Sequence, residues 1–306
     1  MADRIEYDEF AYFAENAAEY GLAYAGPPVV RRDIAEIGGG RRLSALVWGA
    51  GEPELVLLHG GAQNAHTWDT VAMALDRPLV ALDLPGHGHS DGPGASREGQ
   101  LSAFGNAEDV AAAVRLLAPR ARGVVGMSMG GITTIALTKV APELVPRAVL
   151  VDITPGVTGG KAKQITDFVN GPESFPSFDD ILARTIAFNP TRTEASLRRG
   201  ILHNAVQQED GSWVWRYARW RVGREAVPAE GDAPDYGVLW DLVSEIRVPL
   251  LLCRGLLPQS VVDDADEAEL LRRLPGAQIV HFPAAGHSIQ GDMPVELAAA
   301  INGFVP

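Results

Sequence analysis

The chain has 306 residues, enough for one large α/β domain or two modest ones with a sizeable core. Its 46% hydrophobic and 21% charged content is that of a globular protein, and a net charge of −13 argues against nucleic acid as a partner, since no basic stripe is present to displace counterions from phosphates. The single cysteine, Cys253, rules out a disulfide and a thiolate metal cluster. No apolar run approaches the ~20 residues that cross a bilayer, and Met1–Glu6 lacks the basic-then-apolar order of a signal peptide. A cytoplasmic protein with no membrane partner is expected.

Residues 1–28 form an acidic, aromatic leader. Phe10, Phe13, Ala14 and Ala17 recur at helical spacing, so the pattern predicts an amphipathic helix ending near Gly21, packed on the outside of the body. A homo-oligomer contact is a second reading of the same face. Arg31–Ile37 and Arg41–Trp48 flank Gly38-Gly39-Gly40 and predict an opening antiparallel hairpin. Six short apolar runs follow: Glu54–His59, Leu79–Asp83, Arg122–Val125, Ala148–Asp152, Val248–Cys253 and Ala277–Phe282. Strands buried on both faces have this composition. Helical patterns alternate with most of them, which implies a mostly parallel sheet of eight strands with helices on both faces.

The rhythm breaks between Pro155 and about Glu245. Ser177 and Thr193 read as helix caps, and Trp213, Trp215 and Tyr217 alternate after the Asp210-Gly211 turn. The expected organisation is a core of residues 29–154 and 246–306, interrupted by a mainly helical lid over residues 155–245. Open α/β sheets bind ligands at the carboxyl edge of their strands, where such a lid would sit.

Four short motifs end strands. They are His59-Gly60-Gly61-Ala62, the run Asp83-Leu84-Pro85-Gly86-His87-Gly88-His89, Gly126-Met127-Ser128-Met129-Gly130-Gly131, and Ala285-Gly286-His287-Ser288. The third places Ser between glycines at two residues on either side, on a strand-to-helix turn. Small residues there let the backbone close tightly around an exposed nucleophile. Together the motifs resemble the α/β-hydrolase superfamily, over everything except the leader and the lid. The resemblance implies an α/β-hydrolase fold with Ser128 as nucleophile and His287 as its base. It also implies an oxyanion hole from the amides of Gly61 and Met129, with Ala62 as an alternative donor.

The acid is less direct. Most of the superfamily carries it after the seventh strand, where this chain reads Gly255-Leu256-Leu257-Pro258-Gln259-Ser260 without a carboxylate. Asp152 closes the sixth strand, which resembles some haloalkane dehalogenases and zearalenone-type lactonases that place the acid there. Asp263 and Asp264 are the alternatives, though both read as helix-start residues. The elbow carries Ser and not a carboxylate, which disfavours epoxide hydrolysis and dehalogenation. No cofactor and no metal are expected, since the Pro-Gly-His-Gly turn accounts for His87 and His89 without zinc.

His59, His87 and His89 read as turn residues, and His203 and His281 as core or surface. The expected substrate is a small-molecule apolar ester or lactone. A bulky aromatic macrolactone would suit the lid aromatics Phe168, Phe175, Phe178, Phe188, Trp213, Trp215 and Trp220. Contacts to it are expected from Ala62, His66, Met127, Trp213, Trp215 and Trp220. Hydrolysis of a carbon–carbon bond in a vinylogous diketone, and a weakly catalytic ligand receptor, are the competing functions.

Overall fold

A computed structural model describes residues 4–93, 102–217 and 238–306. After the leader helix α1 (Phe13–Tyr20), the chain forms the antiparallel hairpin β1 (Val30–Gly38) and β2 (Arg41–Trp48). Strands β3 (Leu55–Leu58), β4 (Leu79–Leu82), β5 (Gly123–Met127) and β6 (Ala148–Val151) follow. They are separated by helices α2 (Asp69–Leu75), α3 (Ala103–Leu117) and α4 (Met129–Val140). Every residue of these four strands is buried, as their unbroken apolar composition requires.

The insertion after β6 contains α5 (Lys163–Val169), β7 (Ser174–Phe175), α6 (Phe178–Phe188), α7 (Glu194–Asn204), β8 (Ala205–Gln207) and β9 (Trp213–Trp215). Beyond it come α8 (Val238–Glu245), β10 (Leu250–Gly255), α9 (Asp264–Arg273), β11 (Gln278–Phe282), α10 (Ile289–Asp292) and α11 (Pro294–Phe304).

The main sheet has eight strands in the order β1-β2-β4-β3-β5-β6-β10-β11, and from β4 to β11 all pairs are parallel. Strand β3 leads to β4 on one side, while β5 lies on the other. The connections therefore diverge between β3 and β5, and a crevice opens beyond their carboxyl ends. The strands alternate their side chains between two cores. Val56 and Leu58 join helices α3, α4 and α8 on one face; Leu55 and Leu57 join α1, α2 and α11 on the other.

The insertion has its own small core, in which Phe178, Ile181, Leu182, Leu197 and Ile201 surround Trp213. Its helices begin on the caps read from sequence: Ser177 accepts from the Asp180 amide and Thr193 from the Ser196 amide. Beside these helices, β7, β9 and β8 form a three-stranded antiparallel sheet. Helix α8, the end of the 155–245 span, packs its Leu239, Leu242 and Val243 into the main core beside α4.

The leader helix seats Phe13 against Trp48, with ring centroids 5.2 Å apart. It also meets the insertion, where Arg199 donates to Asn16 Oδ1 at 2.8 Å and pairs with Glu19.

Candidate active site

Ser128 sits between β5 and α4 with φ 50° and ψ −117°, a backbone conformation that costs a side-chain-bearing residue free energy. Close packing enforces it. A Cβ on Gly126 would lie 2.3 Å from the Gly130 oxygen, and one on Gly130 would lie 2.2 Å from the Leu58 oxygen. Strand β5, its neighbour β3 and helix α4 can therefore approach only with hydrogen at those positions, and the approach leaves Ser128 at the tip.

Asp152 follows β6, also at positive φ. It is fully buried, and its carboxylate is saturated. Oδ1 accepts from the Gly255 amide at 2.9 Å and the Ser260 hydroxyl at 2.6 Å. Oδ2 accepts from the Val261 amide at 3.0 Å and pairs with His287 Nδ1 at 2.9 Å. The turn after β10, which lacks a carboxylate of its own, thus supplies donors to one arriving from β6. Asp263 and Asp264 are engaged elsewhere. Asp263 caps α9 in a reciprocal capping box with Asp266 and pairs with Lys161 at 2.8 Å, and Asp264 pairs with Arg254 at 2.7 Å. Burial, with the Asp152 charge next to it, pushes the Cys253 thiol up, so this cysteine stays protonated.

Ser128 and His287 line one cavity of about 150 Å³, together with Gly60, Gly61, Ala62 and Met127. Its far wall comes from the insertion: Ile165, Phe168 and Val169 of α5, and Phe188 at the end of α6.

Of the other sequence candidates, His66 does not line this cavity but lies buried in a charged cluster. The cap of its turn (Ala65–Trp68) is Asn64, which accepts from the His66 amide. Trp213 and Trp215 also face elsewhere, into the insertion's own packing. Trp213 meets Phe178, and Trp215 meets Phe168 and Phe175. Trp220 lies outside the described residues.

The loop after β3 is fixed from both sides. Ala62, at φ 61°, donates its amide to His87 Nε2 at 3.1 Å and accepts Asn204 Nδ2 on its carbonyl at 2.6 Å. An amide so engaged is unavailable to a substrate oxygen, so Ala62 is removed as a donor. Among the described residues, the amides of Gly61 and Met129 have no acceptor, and Met129 opens α4, whose first amides have no partner within the helix. Ala62, Ser128 and Asp152 are three of the four non-glycine residues at positive φ among those described. Backbone strain of this kind concentrates at functional sites.

His87, read from sequence as a turn residue, holds the Ala62 amide, and Asn204 is a positioning residue that the sequence did not announce. His87 Nδ1 donates to the Pro85 carbonyl at 3.0 Å, which leaves Nε2 to accept. His59 is arranged alike: Nδ1 donates to the Gly60 carbonyl at 2.7 Å and Nε2 accepts the Leu84 amide at 2.9 Å. Each must be neutral to accept. Burial, reinforced by His87, lowers His59 to about 3, and burial likewise lowers His87. Burial lowers His66 too, but the Asp69 charge and the hydrogen bonds that the imidazole donates to Asp69 and Glu9 outweigh it and raise this imidazole to about 9.

A serine on a strained elbow and a histidine braced by a buried carboxylate, sharing one cavity at the divergence of a parallel sheet, define an α/β hydrolase. The chain belongs to the alpha/beta hydrolase family, whose model matches residues 55–300. Over 97% of its length it is 43% identical to the esterase Rv0045c of Mycobacterium tuberculosis, covering 96% of that protein. A solved structure of that M. tuberculosis esterase, from work on its inhibition by transition metals, superposes with a TM-score of 0.80 at 41% identity, covering 98% of this chain and 99% of that one. The sn-1-specific diacylglycerol lipase ABHD11 of Xenopus laevis is 28% identical over 83% of this chain and 80% of its own.

Proposed function

We propose that the protein hydrolyses a small apolar carboxylic ester through an acyl-enzyme on Ser128, with His287 as base, Asp152 as the acid that braces it, and the Gly61 and Met129 amides as the oxyanion hole. The observation that carries the reading is the 2.9 Å contact between His287 Nδ1 and the buried Asp152, beside the cavity that Ser128 also lines. With the Nδ1 proton held by the carboxylate, Nε2 is the lone-pair nitrogen that accepts the Ser128 proton as Oγ attacks the ester carbonyl. Charge on the carbonyl oxygen then meets two preorganised N–H donors, each worth about 3 kcal/mol. His287 returns the proton to the departing alcohol, and water repeats the sequence to free the acid.

The kinship with the M. tuberculosis esterase supports the ester over other acyl substrates. The size of the cavity sharpens the substrate. A void near 150 Å³ takes a benzene-sized group. That suits a short acyl chain or a small lactone ring better than an aromatic macrolactone. The insertion acts as the lid through α5 and the end of α6, which wall the cavity.

The test is labelling by a fluorophosphonate together with turnover of a nitrophenyl ester series. Labelling lost in Ser128→Ala, with kcat/KM greatest for short acyl chains, is the expected result. Labelling without turnover across the series would favour a receptor. Preferential cleavage of a ring-fission dienoate would favour the carbon–carbon hydrolase.

A further inference from the structure

His287 is held from two directions by two different carboxylates. Asp152 takes the ring, at Nδ1. The backbone behind the ring is taken by Asp292, whose Oδ2 accepts the Gly286 amide at 2.9 Å, one residue before the base. Asp292 is the last residue of α10, the short helix that begins two residues after His287. The Ser288 carbonyl accepts the Gly291 and Asp292 amides at 2.8 and 2.9 Å. The Asp292 side chain then returns to Gly286 and closes the stretch 286–292 on itself, with His287 inside.

The rest of this loop sits on rigid parts of the body. Ile289 is fully buried in the core that α2 and α11 share. The Ala285 carbonyl accepts the Leu257 amide at 3.0 Å. A Cβ on Gly255 would collide with the Gly286 carbonyl oxygen, so the end of β10 packs directly against the loop.

At Asp292 the insertion joins in. Oδ1 accepts the Thr191 hydroxyl at 2.8 Å, from the connection between α6 and α7. The neighbouring Arg192 guanidinium lies over Gly291, where a Cβ would run into Nη1. Thr191 and Asp292 both line the cavity that Ser128 and His287 share. One carboxylate thus gives an oxygen to the loop of the base and an oxygen to the insertion. Hydrogen bonds to an ionised acceptor are about twice as strong as neutral ones, which suits this group to fixing a loop.

We propose that Asp292 is a positioning residue for His287, which registers the imidazole against the insertion through Thr191. The proposal rests on the reading of His287 as the base. His287 must stay within hydrogen-bond reach of Ser128, and a displacement of about 1 Å at a reacting group can cost on the order of 100-fold in rate. Asp292 itself passes no proton and binds no substrate atom in this role. It keeps the base aligned while the connection between α6 and α7 is seated on α10.

The test measures kcat and KM of the whole protein on a short nitrophenyl ester, with Tm alongside. Asp292→Ala loses both bonds and is expected to lower kcat roughly 10–100-fold, with KM within about threefold of wild type. Asp292→Asn keeps both, because its oxygen accepts the Gly286 amide while its NH₂ donates to the Thr191 hydroxyl; its kcat stays within about threefold. Thr191→Val loses the insertion's bond alone and lowers kcat by about threefold or more, with no further loss when combined with Asp292→Ala. Wild-type kcat in a folded Asp292→Ala overturns the proposal. A raised KM at unchanged kcat also overturns it, since that marks a substrate contact. So does Asp292→Asn as damaging as Asp292→Ala, or full additivity in the double variant. Should Asp292→Ala fail to fold, Thr191→Val carries the test, and wild-type kcat there rejects the proposal. A wild type that shows neither turnover nor fluorophosphonate labelling fails the hydrolase reading itself and takes the proposal with it; the other outcomes, in an active wild type, reject the positioning role alone.

Discussion

Replacing Asp152 by Asn tests the assignment of the acid with little change of shape. The carboxylate accepts four hydrogen bonds, at 2.6–3.0 Å, from Gly255, Ser260, Val261 and His287. An Asn must turn an NH₂ toward two of those donors. Turned toward Val261 and His287, it leaves the imidazole to yield by moving its proton to Nε2, and that tautomer cannot take the Ser128 proton. Turned toward Gly255 and Ser260, it leaves the Gly255 amide without an acceptor, at about 1–3 kcal/mol. In either orientation the imidazolium formed during reaction loses its counter-charge. An Asn at the acid position of a serine triad lowers kcat about 10⁴-fold, equivalent to about 5.4 kcal/mol of barrier. The same loss is expected here for a short nitrophenyl ester, with Tm followed in parallel to show that the fold survives. Asp263→Asn and Asp264→Asn should stay within about twofold of wild type. Asp152→Asn retaining more than about one tenth of wild-type kcat would refute the reasoning.

Asn204→Ala releases the Ala62 carbonyl and should lower kcat about 10-fold with little change in KM, because it shifts a donor loop without touching the cavity wall; a pure stability defect would lower Tm and spare kcat. Acid should destabilise the fold through His59. Its folded value near 3 lies below the ordinary imidazole value near 6.5, so its contribution is complete above pH 6.5 and is lost as pH falls. That loss is about 2 kcal/mol by pH 5, and His87 adds to it in the same direction. The raised His66 contributes oppositely, with stability present at neutral pH and lost as pH rises through about 9. Melting temperatures at pH 5, 7 and 9.5 read all of these signs, and a Tm that holds from pH 7 to 5 refutes the assignment for His59. Gly130→Ala drives a Cβ to 2.2 Å from the Leu58 oxygen and should cost more than about 3 kcal/mol. Gly200→Ala on α7, where nothing lies within 4 Å, should stabilise by about 0.5–1 kcal/mol in denaturant titration.

The fold and the pair Ser128 and His287 were legible because their signals are local. A glycine-framed serine and a Gly-His-Ser turn each lie within a few residues, and buried parallel strands show as unbroken apolar runs. Asp152 was legible from its place at a strand end, and the bare turn after β10 pointed to it by omission. What the sequence did not carry were contacts made at long range. Asn204 reaches Ala62 across 142 residues and Asn64 Nδ2 reaches the His203 carbonyl across 139, with no local pattern marking either. Aromatic content misled in another way. Composition placed tryptophans in the insertion but not the direction they face, and Trp213 serves the insertion's own core while Phe168 and Phe188 wall the cavity.

The leader makes a strap. Phe13 is anchored in the body beside Trp48, Glu19 and Asn16 hold Arg199 of the insertion, and the Tyr20 hydroxyl ties back to the Gly291 carbonyl at 2.7 Å. The connection that follows, residues 22–29, is mostly exposed and without regular structure, which is where a protease cuts most readily. One nick there would slacken the buckle between body and insertion, with Ser128, His287 and Asp152 left in place.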